Sequence, residues 1–350
     1  MIRRPPRSTL DRSSAASDVY KRQLLGCGTW GSAVAQLLAE KGLAVTAWQR
    51  HKAKAESMAA TRKHPHLPDL TFKNNIIFTT DLQEVLQAGE IIFLATPSHS
   101  IKGLAHSISK SQKDHCIIVN LAKGIDLDTL MTMSQVIRLE TDIDSSQIVS
   151  LYGPSHAEEV VRNLPTTLVA ASTSDTTSAM IQELISSEVL RVYRNEDIMG
   201  VEIGGSLKNV MAIAAGICDG IGYGDNSKAA ILTRSIEEMT RLGVKMGAKK
   251  STFAGLSGIG DLLVTALSKH SRNRYVGEEI GRGKSLKEVT KGMDMIAEGV
   301  NTCRAVPRIV EKYNIEMPIA KAVYGILFEN NNPLEKVKEL MTRDLTAEKR

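Results

Sequence analysis

The chain has 350 residues, of which 42% are hydrophobic and 24% charged, so it is long enough for about two domains with a sizeable core. Most of its net charge of +5 lies in the first 23 residues, where six Arg and Lys oppose two Asp, leaving only +1 for the other 327. No uninterrupted apolar run of membrane-spanning length, RNA-binding signature, disulfide framework or metal-type Cys or His spacing occurs, which argues against a membrane protein, a nucleic-acid binder and a metalloprotein.

Residues 1–23 are expected to be a non-native adapter or cloning scar, with a genuine extension as the alternative. They lack the apolar segment of a secretory signal, and two prolines and two aspartates disfavour the amphipathic helix of a transit peptide. Leu24-Leu25-Gly26 is predicted to end the central strand of a parallel sheet, where both faces are buried and residues are apolar. Lys21-Arg22-Gln23 precede it, so we expect foreign polar residues to complete that strand.

A dinucleotide-binding fingerprint comes next. Gly26-Cys27-Gly28-Thr29-Trp30-Gly31 matches G-x-G-x-x-G between this strand and a helix predicted at Ser32–Lys41, with a second strand at Ala44–Trp48. The first glycine permits a tight turn, the second lets the backbone approach a pyrophosphate, and the third allows close packing of helix on strand. The helix N-terminus then faces the phosphate charge.

The residues after the second predicted strand indicate which cofactor is used. An NAD-preferring site usually presents Asp or Glu there, but this chain has Gln49-Arg50-His51. Two potential cations, with no acid to repel a negative charge, suit the 2′-phosphate on the adenosine ribose of NADP(H). NADP(H) is therefore the natural inference. A charged, solvated helix start is the alternative.

The alternation of strands and helices continues, with helices predicted from Asp81 and near Ser100–Lys110. Further strands are predicted at Ile76–Thr79, Glu90–Ala95, Cys116–Asn120, Ile148–Leu151, Thr167–Ala171 and Leu190–Val192. Lys123 follows the carboxyl end of one of them, where open α/β sheets bind ligands. It is a candidate contact to an anionic substrate or cofactor, or else a surface lysine.

From Asp197 onward the pattern is helical. Helices are predicted from about Val201, after the Gly-rich stretch 255–261, and at Lys228–Met246, Ser271–Arg282, Ser285–Lys291, Asn301–Lys312 and Pro318–Phe328. The predicted fold is therefore an α/β Rossmann-type domain with a mostly parallel sheet at 24–196, followed by an all-α domain at 197–350. A ligand cleft is expected between them.

The stretch Gly200–Asp219 is almost wholly apolar or small, so as a helix it is expected to be buried nearly all round. Lys208 is the anomaly in it, because a lysine is almost never fully buried without a partner. Either its long stem reaches water, or it lies beside a cleft with a lowered pKa and transfers protons.

Polar groups that suit an anionic ligand recur later in the chain. Asp261 begins a helix after three glycines, where it complements the helix dipole or belongs to the site, and Thr265 shares its face. Ser271-Arg272-Asn273 combines a hydroxyl, a guanidinium and an amide, which suits a phosphate unless Arg272 is only a surface charge. Glu298 offers an acceptor before a glycine turn.

Several motifs, matching in order and spacing over residues 24–340, strongly resemble the bacterial NAD(P)-dependent glycerol-3-phosphate dehydrogenases. The motifs are Gly26-x-Gly28-x-Trp30-Gly31, Ala122-Lys123-Gly124, Gly153-Pro154-Ser155-x-Ala157, Glu202-Ile203-Gly204-Gly205-x-x-Lys208-Asn209, Gly258-x-Gly260-Asp261-Leu262 and Ser271-Arg272-Asn273-Arg274. Departures are Thr29 in place of the common serine, His156 in place of an aromatic, and the N-terminal segment.

The resemblance implies an oxidoreductase that interconverts sn-glycerol 3-phosphate and dihydroxyacetone phosphate with NADP(H) and/or NAD(H), for phospholipid synthesis. It implies that Lys208 is the proton acceptor, with Asp261 as an orienting acid. Burial and cations such as Arg272 are expected to lower the pKa of Lys208, and Asp261 to oppose this. Implied substrate contacts are Lys123, Gly153, Ser155, Lys208, Asp261, Ser271, Arg272 and Asn273. Implied cofactor contacts are Gly26, Gly28, Thr29, Trp30, Gly31, Arg50, His51, Lys123, Ala157, Arg272, Ile296 and Glu298.

The nearest rival is another lysine-using dehydrogenase of this architecture, a 3-hydroxyacid dehydrogenase or ketopantoate reductase, and a non-catalytic dinucleotide sensor is the rival from another class. The phosphate-type cluster disfavours the first, since those enzymes act on carboxylates, and Lys208 disfavours the second.

The expected location is the cytoplasm, since the four cysteines suit reduced thiols. The expected partners are the two substrates, with a homodimer as the candidate assembly and neither nucleic acid nor a membrane span.

Overall fold

The chain changes from alternating strands and helices to helices alone between Asn195 and Ile198. The computed structural model describes residues 21–111, 116–293, 297–345 and 347–348. This order agrees with the predicted α/β domain followed by helices.

The described strands are β1 (Arg22–Leu25), β2 (Val45–Trp48), β3 (Lys63–His64), β4 (Leu67–Thr71), β5 (Ile76–Thr79), β6 (Ile91–Leu94), β7 (Ile117–Asn120), β8 (Ile148–Tyr152), β9 (Thr166–Ala171) and β10 (Leu190–Asn195). Eight of them form one sheet in the order β10-β9-β8-β7-β6-β1-β2-β5, and β3 and β4 form a separate antiparallel pair. All sheet neighbours are parallel except β8 and β9, so β9 and β10 run against the other six. The sheet is mostly parallel, as predicted.

Helices cover both faces of this sheet. Alternate residues of β6 enter two separate apolar clusters, Ile91 and Phe93 one and Ile92 and Leu94 the other, because successive side chains of a strand point to opposite faces. The helices of this half are α1 (Thr29–Glu40), α2 (Lys52–Thr61), α3 (Leu82–Ala88), α4 (Ile101–Lys110), α5 (Met133–Thr141), α6 (Ala157–Val160) and α7 (Asp175–Ile185).

The described helices of the second half are α8 (Ile198–Ile221), α9 (Asp225–Lys245), α10 (Asp261–Leu267), α11 (Arg272–Gly281), α12 (Leu286–Lys291), α13 (Glu298–Arg304), α14 (Val306–Tyr313), α15 (Pro318–Phe328) and α16 (Pro333–Met341). They are built around α8, in which every residue from Gly200 to Cys218 is buried. Helices α9, α10, α11, α13 and α15 pack against it. By length and composition alone α8 could cross a membrane, but its apolar window is 100% buried inside the protein.

Two glycines let α8 approach its neighbours. A Cβ at Gly205 would lie 2.5 Å from the ring of Tyr152 on β8, and one at Gly204 would lie 2.5 Å from the backbone oxygen of Ser257. The helix therefore packs directly on the sheet on one side and on the turn before α10 on the other. This turn, Leu256–Gly260, is a π-helical turn that leads into Asp261.

One predicted helix is wrong. Asn301–Lys312 does not form a single helix, because α13 ends at Arg304 and α14 begins at Val306 with a proline in its first turn. A proline has no backbone N–H and is tolerated in the first turn of a helix but not in its interior. Helices α2, α5, α6, α7 and α16 and strands β3 and β4 were not predicted, whereas the observed bounds of β5 and α15 match the prediction.

The central strand β1 contains two buried polar side chains. Arg22 is 5% exposed and Gln23 2% exposed, and β1 lies between β2 and β6. The strand therefore includes the polar residues expected there, while residues 1–20 lie outside the described part of the chain and their foreign origin stays a prediction. Among the described residues, the buried Oε1 of Gln23 has no hydrogen-bond partner.

We predict that Gln23→Met raises the midpoint of thermal unfolding. The substitution keeps an unbranched side chain and removes a buried acceptor whose desolvation costs about 1–3 kcal/mol when it is unpaired. Differential scanning fluorimetry measures the midpoint.

Gln36→Met is the matched control, since Gln36 is also buried but its amide donates to Glu40 (2.8 Å) and accepts from the Lys73 N–H (3.1 Å). The control is expected to lower the midpoint. If both variants lower it equally, the unpaired oxygen of Gln23 is not a cost to the fold.

Candidate active site

A cavity of about 420 Å³ lies where the carboxyl ends of the sheet strands meet the helical half. Residues from both halves line it, which agrees with the predicted cleft. Ten of the predicted site residues face it: Gly28, Thr29, Trp30, Lys123, Ser155, Lys208, Ser271, Arg272, Asn273 and Glu298.

Of the other eight predicted site residues, the seven that the structure describes do not line the cavity. Gly26 and Gly31 form the turn beneath the cavity, Arg50 and His51 are exposed after β2, and Ile296 lies outside the described residues. Gly153, Ala157 and Asp261 are buried next to the cavity without lining it.

The centre of the site is one carboxylate shared by two lysines. Asp261, the first residue of α10, is fully buried; its Oδ1 accepts from Lys208 Nζ, and its Oδ2 accepts from Lys123 Nζ at 2.7 Å. Lys208 also contacts Thr265 Oγ1 (2.6 Å), and Lys123 donates to the carbonyl of Gly153 (3.1 Å). When both lysines are protonated, the trio carries a net charge of +1 inside the protein.

This environment lowers the pKa of Lys208 from 10.5 to about 7. Burial is the largest cause, because it disfavours the charged amine; the negative charge of Asp261 acts in the opposite direction, and the positive charge of Lys123 lowers the pKa further. The cation that lowers this pKa is thus Lys123, which shares Asp261 with Lys208, whereas Arg272, which was expected to lower it, lines the cavity from α11. Lys208 can therefore gain or lose a proton near neutral pH.

The fingerprint turn leaves room for a dinucleotide. Gly26 has φ +110°, and a Cβ at Gly31 would lie 2.1 Å from the Gly26 carbonyl oxygen, so both positions need glycine. A Cβ at Gly28 would meet nothing within 4 Å, which leaves the backbone there open to the cavity. Helix α1 begins at Thr29 with no side-chain cap and no acid in its first turn, as an anion-binding helix N-terminus requires.

Two buried polar atoms near this turn have unsatisfied hydrogen-bonding capacity in the described part of the chain. Trp30 Nε1 and Thr96 Oγ1 are buried, and neither has a hydrogen-bond partner among the described residues. Both side chains line the cavity. Buried polar groups are normally paired, so a ligand with polar atoms suits this end of the cavity, and the residues present fit a dinucleotide.

The opposite side of the cavity is suited to an anion. Ser271 caps α11 by accepting from the Arg274 N–H at 3.1 Å, and Arg272 and Asn273 form the first helical turn. The Asn273 amide donates to Asn209 Oδ1 at 2.9 Å and accepts from the Gly299 N–H at 2.9 Å. This amide link holds α11 against α8 and α13.

Glu298 connects the two halves at the cavity edge. Its Oε2 accepts from Ser98 Oγ at 2.8 Å, although the two residues are 200 positions apart in the chain. Burial raises the pKa of this carboxyl, while the hydrogen bonds from Ser98 oppose that shift. Glu298 therefore belongs to the contact between the sheet and the helices.

Several cavity residues had no predicted role. Thr265 contacts Lys208, and Asn209, Thr96 and His270 line the same space. The i, i+4 spacing of Asp261 and Thr265 was the available signal for the threonine. His270 had none, because only the fold brings the segment before α11 to within 5.9 Å, between ring centroids, of His156.

Two protein-family models match the chain. The one described as NAD-dependent glycerol-3-phosphate dehydrogenase N-terminus matches residues 22–178, and the one described as NAD-dependent glycerol-3-phosphate dehydrogenase C-terminus matches residues 197–338. Together they cover most of the chain, including the fingerprint, Lys208 and Asp261.

Individual relatives agree. Glycerol-3-phosphate dehydrogenase (NAD(P)+) 2 from Salinibacter ruber is 49% identical over 327 residues, which is 93% of this chain and 95% of the relative. Glycerol-3-phosphate dehydrogenase (NAD(P)+) from Thermoanaerobacter is 46% identical over 324 residues, covering 93% of this chain and 97% of the relative.

Solved structures are similar as well. The crystal structure of glycerol-3-phosphate dehydrogenase from Coxiella burnetii has a TM-score of 0.87 at 33% identity, covering 93% of this chain and 99% of that one. A ketopantoate reductase from Ralstonia eutropha has a TM-score of 0.58 at 13% identity, covering 91% of this chain and 99% of that one, which is a likeness of fold alone.

Proposed function

The chain belongs to the NAD-dependent glycerol-3-phosphate dehydrogenase family, and from that premise we propose how its residues perform the reaction. The enzyme is an NAD(P)-dependent oxidoreductase that interconverts sn-glycerol 3-phosphate and dihydroxyacetone phosphate. The observation that carries the mechanism is the buried Asp261 carboxylate, which holds Lys208 at the cavity wall and is shared with Lys123.

We assign proton transfer to Lys208. In the oxidation its neutral amine takes the proton from the C2 hydroxyl as the C2–H bond breaks, and in the reduction its ammonium returns a proton to the ketone oxygen. Asp261 and Thr265 hold the amine in place through their hydrogen bonds. A pKa of about 7 lets Lys208 serve in both directions at neutral pH.

When bound, the cofactor would supply the hydride chemistry at C2, as the acceptor NAD(P)+ in the oxidation and as the donor NAD(P)H in the reduction. The residues that would hold it are Gly28, Thr29 and Trp30 at the start of α1, with Arg50 and His51 beside the adenosine end. The open space over Gly28 and the unpaired Trp30 Nε1 support this assignment. The two basic side chains after β2, with no acid beside them, favour NADP(H).

Substrate phosphate is assigned to the first turn of α11. Its cap Ser271, the guanidinium of Arg272 and the helix N-terminus offer donors and positive charge together. We further propose that residues 24–196 and 197–350 act as two domains that close on the substrate and orient it against the cofactor.

A ketopantoate reductase activity is the less supported alternative. A direct assay separates the two reactions: NADPH consumption with dihydroxyacetone phosphate is compared with consumption with 2-ketoacids. Rapid turnover of a 2-ketoacid, and none of dihydroxyacetone phosphate, is the result that would reject the assignment.

The cellular setting is part of the proposal. The product sn-glycerol 3-phosphate supplies phospholipid synthesis, and a cytoplasmic location fits the four cysteines, which are buried free thiols. A homodimer is the candidate assembly. Light scattering during size-exclusion chromatography tests it.

We predict that Lys208→Met lowers turnover about 10²- to 10⁴-fold but preserves cofactor binding. The substitution removes the acid–base group while keeping the side-chain length, and general acid–base assistance contributes about 10²- to 10⁴-fold in rate. The two tryptophans, Trp30 and Trp48, both lie in the first βαβ unit, so quenching of their fluorescence measures NADPH binding. Near-normal turnover in this variant would rule out the role of Lys208.

We predict opposite pH profiles for the two directions. The oxidation needs neutral Lys208, so its kcat/KM rises as pH increases through about 7 and then levels off, while that of the reduction falls above about 7. Initial rates in buffers of constant ionic strength measure both profiles. A midpoint near 10.5, the ordinary value for lysine, contradicts the buried environment described above.

We predict that Arg272→Lys weakens substrate binding more than it slows turnover. The ammonium keeps the charge but loses the forked donor that binds two phosphate oxygens, so KM for dihydroxyacetone phosphate rises about tenfold. Steady-state kinetics measure the change. An unchanged KM would show that Arg272 on α11 does not bind the substrate phosphate.

A further inference from the structure

Glu202 is a buried carboxylate on α8 that no step above uses. It is 0% exposed, lies six residues before Lys208, and does not line the cavity. In the described part of the chain, the groups that donate to it are all uncharged. A buried charge is unfavourable unless it is hydrogen-bonded, so the carboxylate of Glu202 depends on these uncharged donors.

Its donors come from three elements of the sheet half. Oε1 accepts from Ser150 Oγ on β8 (2.7 Å), from Asn120 Nδ2 at the end of β7 (3.2 Å) and from the Ser134 N–H (3.0 Å); Oε2 accepts from Ser134 Oγ (2.6 Å). Ser134 lies in the first turn of α5, where a negative charge is stabilised by the helix dipole. Glu202 thus joins α8 to β7, β8 and α5.

Asn120 extends this contact toward the site. Its Oδ1 accepts from the Ala122 N–H (3.0 Å), and its Nδ2 donates to Glu202 and to the Ala122 carbonyl (3.2 Å). The carboxylate fixes which end of the amide faces it, because only the Nδ2 end can donate. Tyr152 Oη, 3.0 Å from Asn120 Nδ2, also donates to the Ala122 carbonyl. The backbone just before Lys123 is therefore held by the partners of Glu202.

The far end of the same segment is held by α8 itself. Ser206, one turn after Glu202, donates from Oγ to the carbonyl of Gly124 at 3.0 Å. Lys123 lies between these two anchors, and its Nζ reaches Asp261 Oδ2 at 2.7 Å. One helix therefore carries Lys208 and also anchors, through Glu202 and Ser206, the segment that brings the second lysine to Asp261.

We propose that Glu202 is a positioning residue for the dehydrogenase reaction: through Asn120 it holds segment 121–124 so that the ammonium of Lys123 stays on Asp261, opposite Lys208. The proposal rests on the acid–base role of Lys208 given above. It adds a group outside the cavity that acts on the chemistry through Lys123.

The consequence is a defined change in the pH dependence. If Lys123 leaves Asp261, the carboxylate interacts with Lys208 alone and stabilises its ammonium form, so the midpoint of the oxidation profile moves to higher pH. The other charged or titratable groups near Lys208 are not bound by Glu202. They are His156 before α6, and His270, Arg272 and Glu298, which line the same cavity. Tyr152 on β8 contacts Asn120, and its pKa is raised by burial and further by the charge of Glu202.

Glu202→Gln is the first test, because it keeps the shape and one acceptor while removing the charge. We expect the midpoint of kcat/KM for glycerol 3-phosphate oxidation to rise by about one pH unit. At pH 7 such a shift lowers the neutral fraction of Lys208, and with it the rate, about fivefold.

Glu238→Gln is the matched control. Glu238 is another buried acidic side chain, and burial raises its pKa to about 7. It accepts backbone N–H groups at a helix start, from Ile319 (2.7 Å) and Ala320 (3.1 Å), but among the described residues it has no hydrogen bond to segment 121–124. Its replacement is expected to leave the midpoint unchanged. If Glu202→Gln also leaves the midpoint unchanged and alters only thermal stability, Glu202 is merely structural and the proposal is overturned.

A double-mutant cycle with Lys123→Gln tests the route. If Glu202 acts through Lys123, Glu202→Gln produces no further shift of the midpoint once Lys123 is replaced. An equal shift in both backgrounds overturns the proposal.

Ser134→Ala decides the matter if Glu202→Gln does not fold, since it removes one hydroxyl donor and is expected to give a smaller shift in the same direction. No shift in that variant counts against the proposal. The Lys208→Met variant distinguishes failure of the acid–base role of Lys208 from failure of the positioning role of Glu202. Near-normal turnover in that variant rules out the acid–base role itself. The predicted loss of turnover in that variant, together with an unshifted Glu202→Gln, removes only the role of Glu202.

Discussion

The constraint on which this structure depends is the burial of a lysine amine in an apolar helix. Lys208 is 6% exposed on α8, and a charged amine at that depth is unfavourable without a counter-charge. Asp261 supplies it, and its fully buried carboxylate also accepts from Lys123. Thr265 completes the group, because its Oγ1 accepts from Lys208 and donates to the backbone carbonyl of Asp261. Each buried charge thus requires the next, which fixes the relative positions of α8, α10 and the segment after β7.

This requirement explains why α8 is the central element of the helical half. Its small residues allow close contacts on several sides, at Gly205 with the Tyr152 ring and at Gly204 with the turn before Asp261. Its polar residues then face the groups that need them: Glu202 toward the sheet, Lys208 toward the cavity and Asn209 toward α11. The same helix therefore takes part in both the packing and the chemistry of the site.

The site is also an assembly of both halves of the chain. Lys123 reaches Asp261 across 138 positions, and Ser98 reaches Glu298 across 200. Ile125 and Leu130, from the connection after β7, are buried in the core of the helical half. The segment that carries Lys123 is consequently packed against helices as well as attached to the sheet, and its position relative to Lys208 follows from both.

Much of this was present in the sequence. The G-x-G-x-x-G turn, the alternation of strands and helices, and the lone lysine of an apolar helix are local patterns, because backbone geometry and burial impose short periods on the chain. The break between α13 and α14 at Ala305 was missed, although its signal, Pro307 in the first turn of α14, was local. What only the tertiary structure decided is which charges meet. No spacing rule relates Lys123 to Asp261, or Glu202 to Ser134, since such pairs are set by how the sheet and helices pack. The amino-acid sequence thus determined the elements and the candidate groups, and packing determined that Lys123 shares the carboxylate with Lys208.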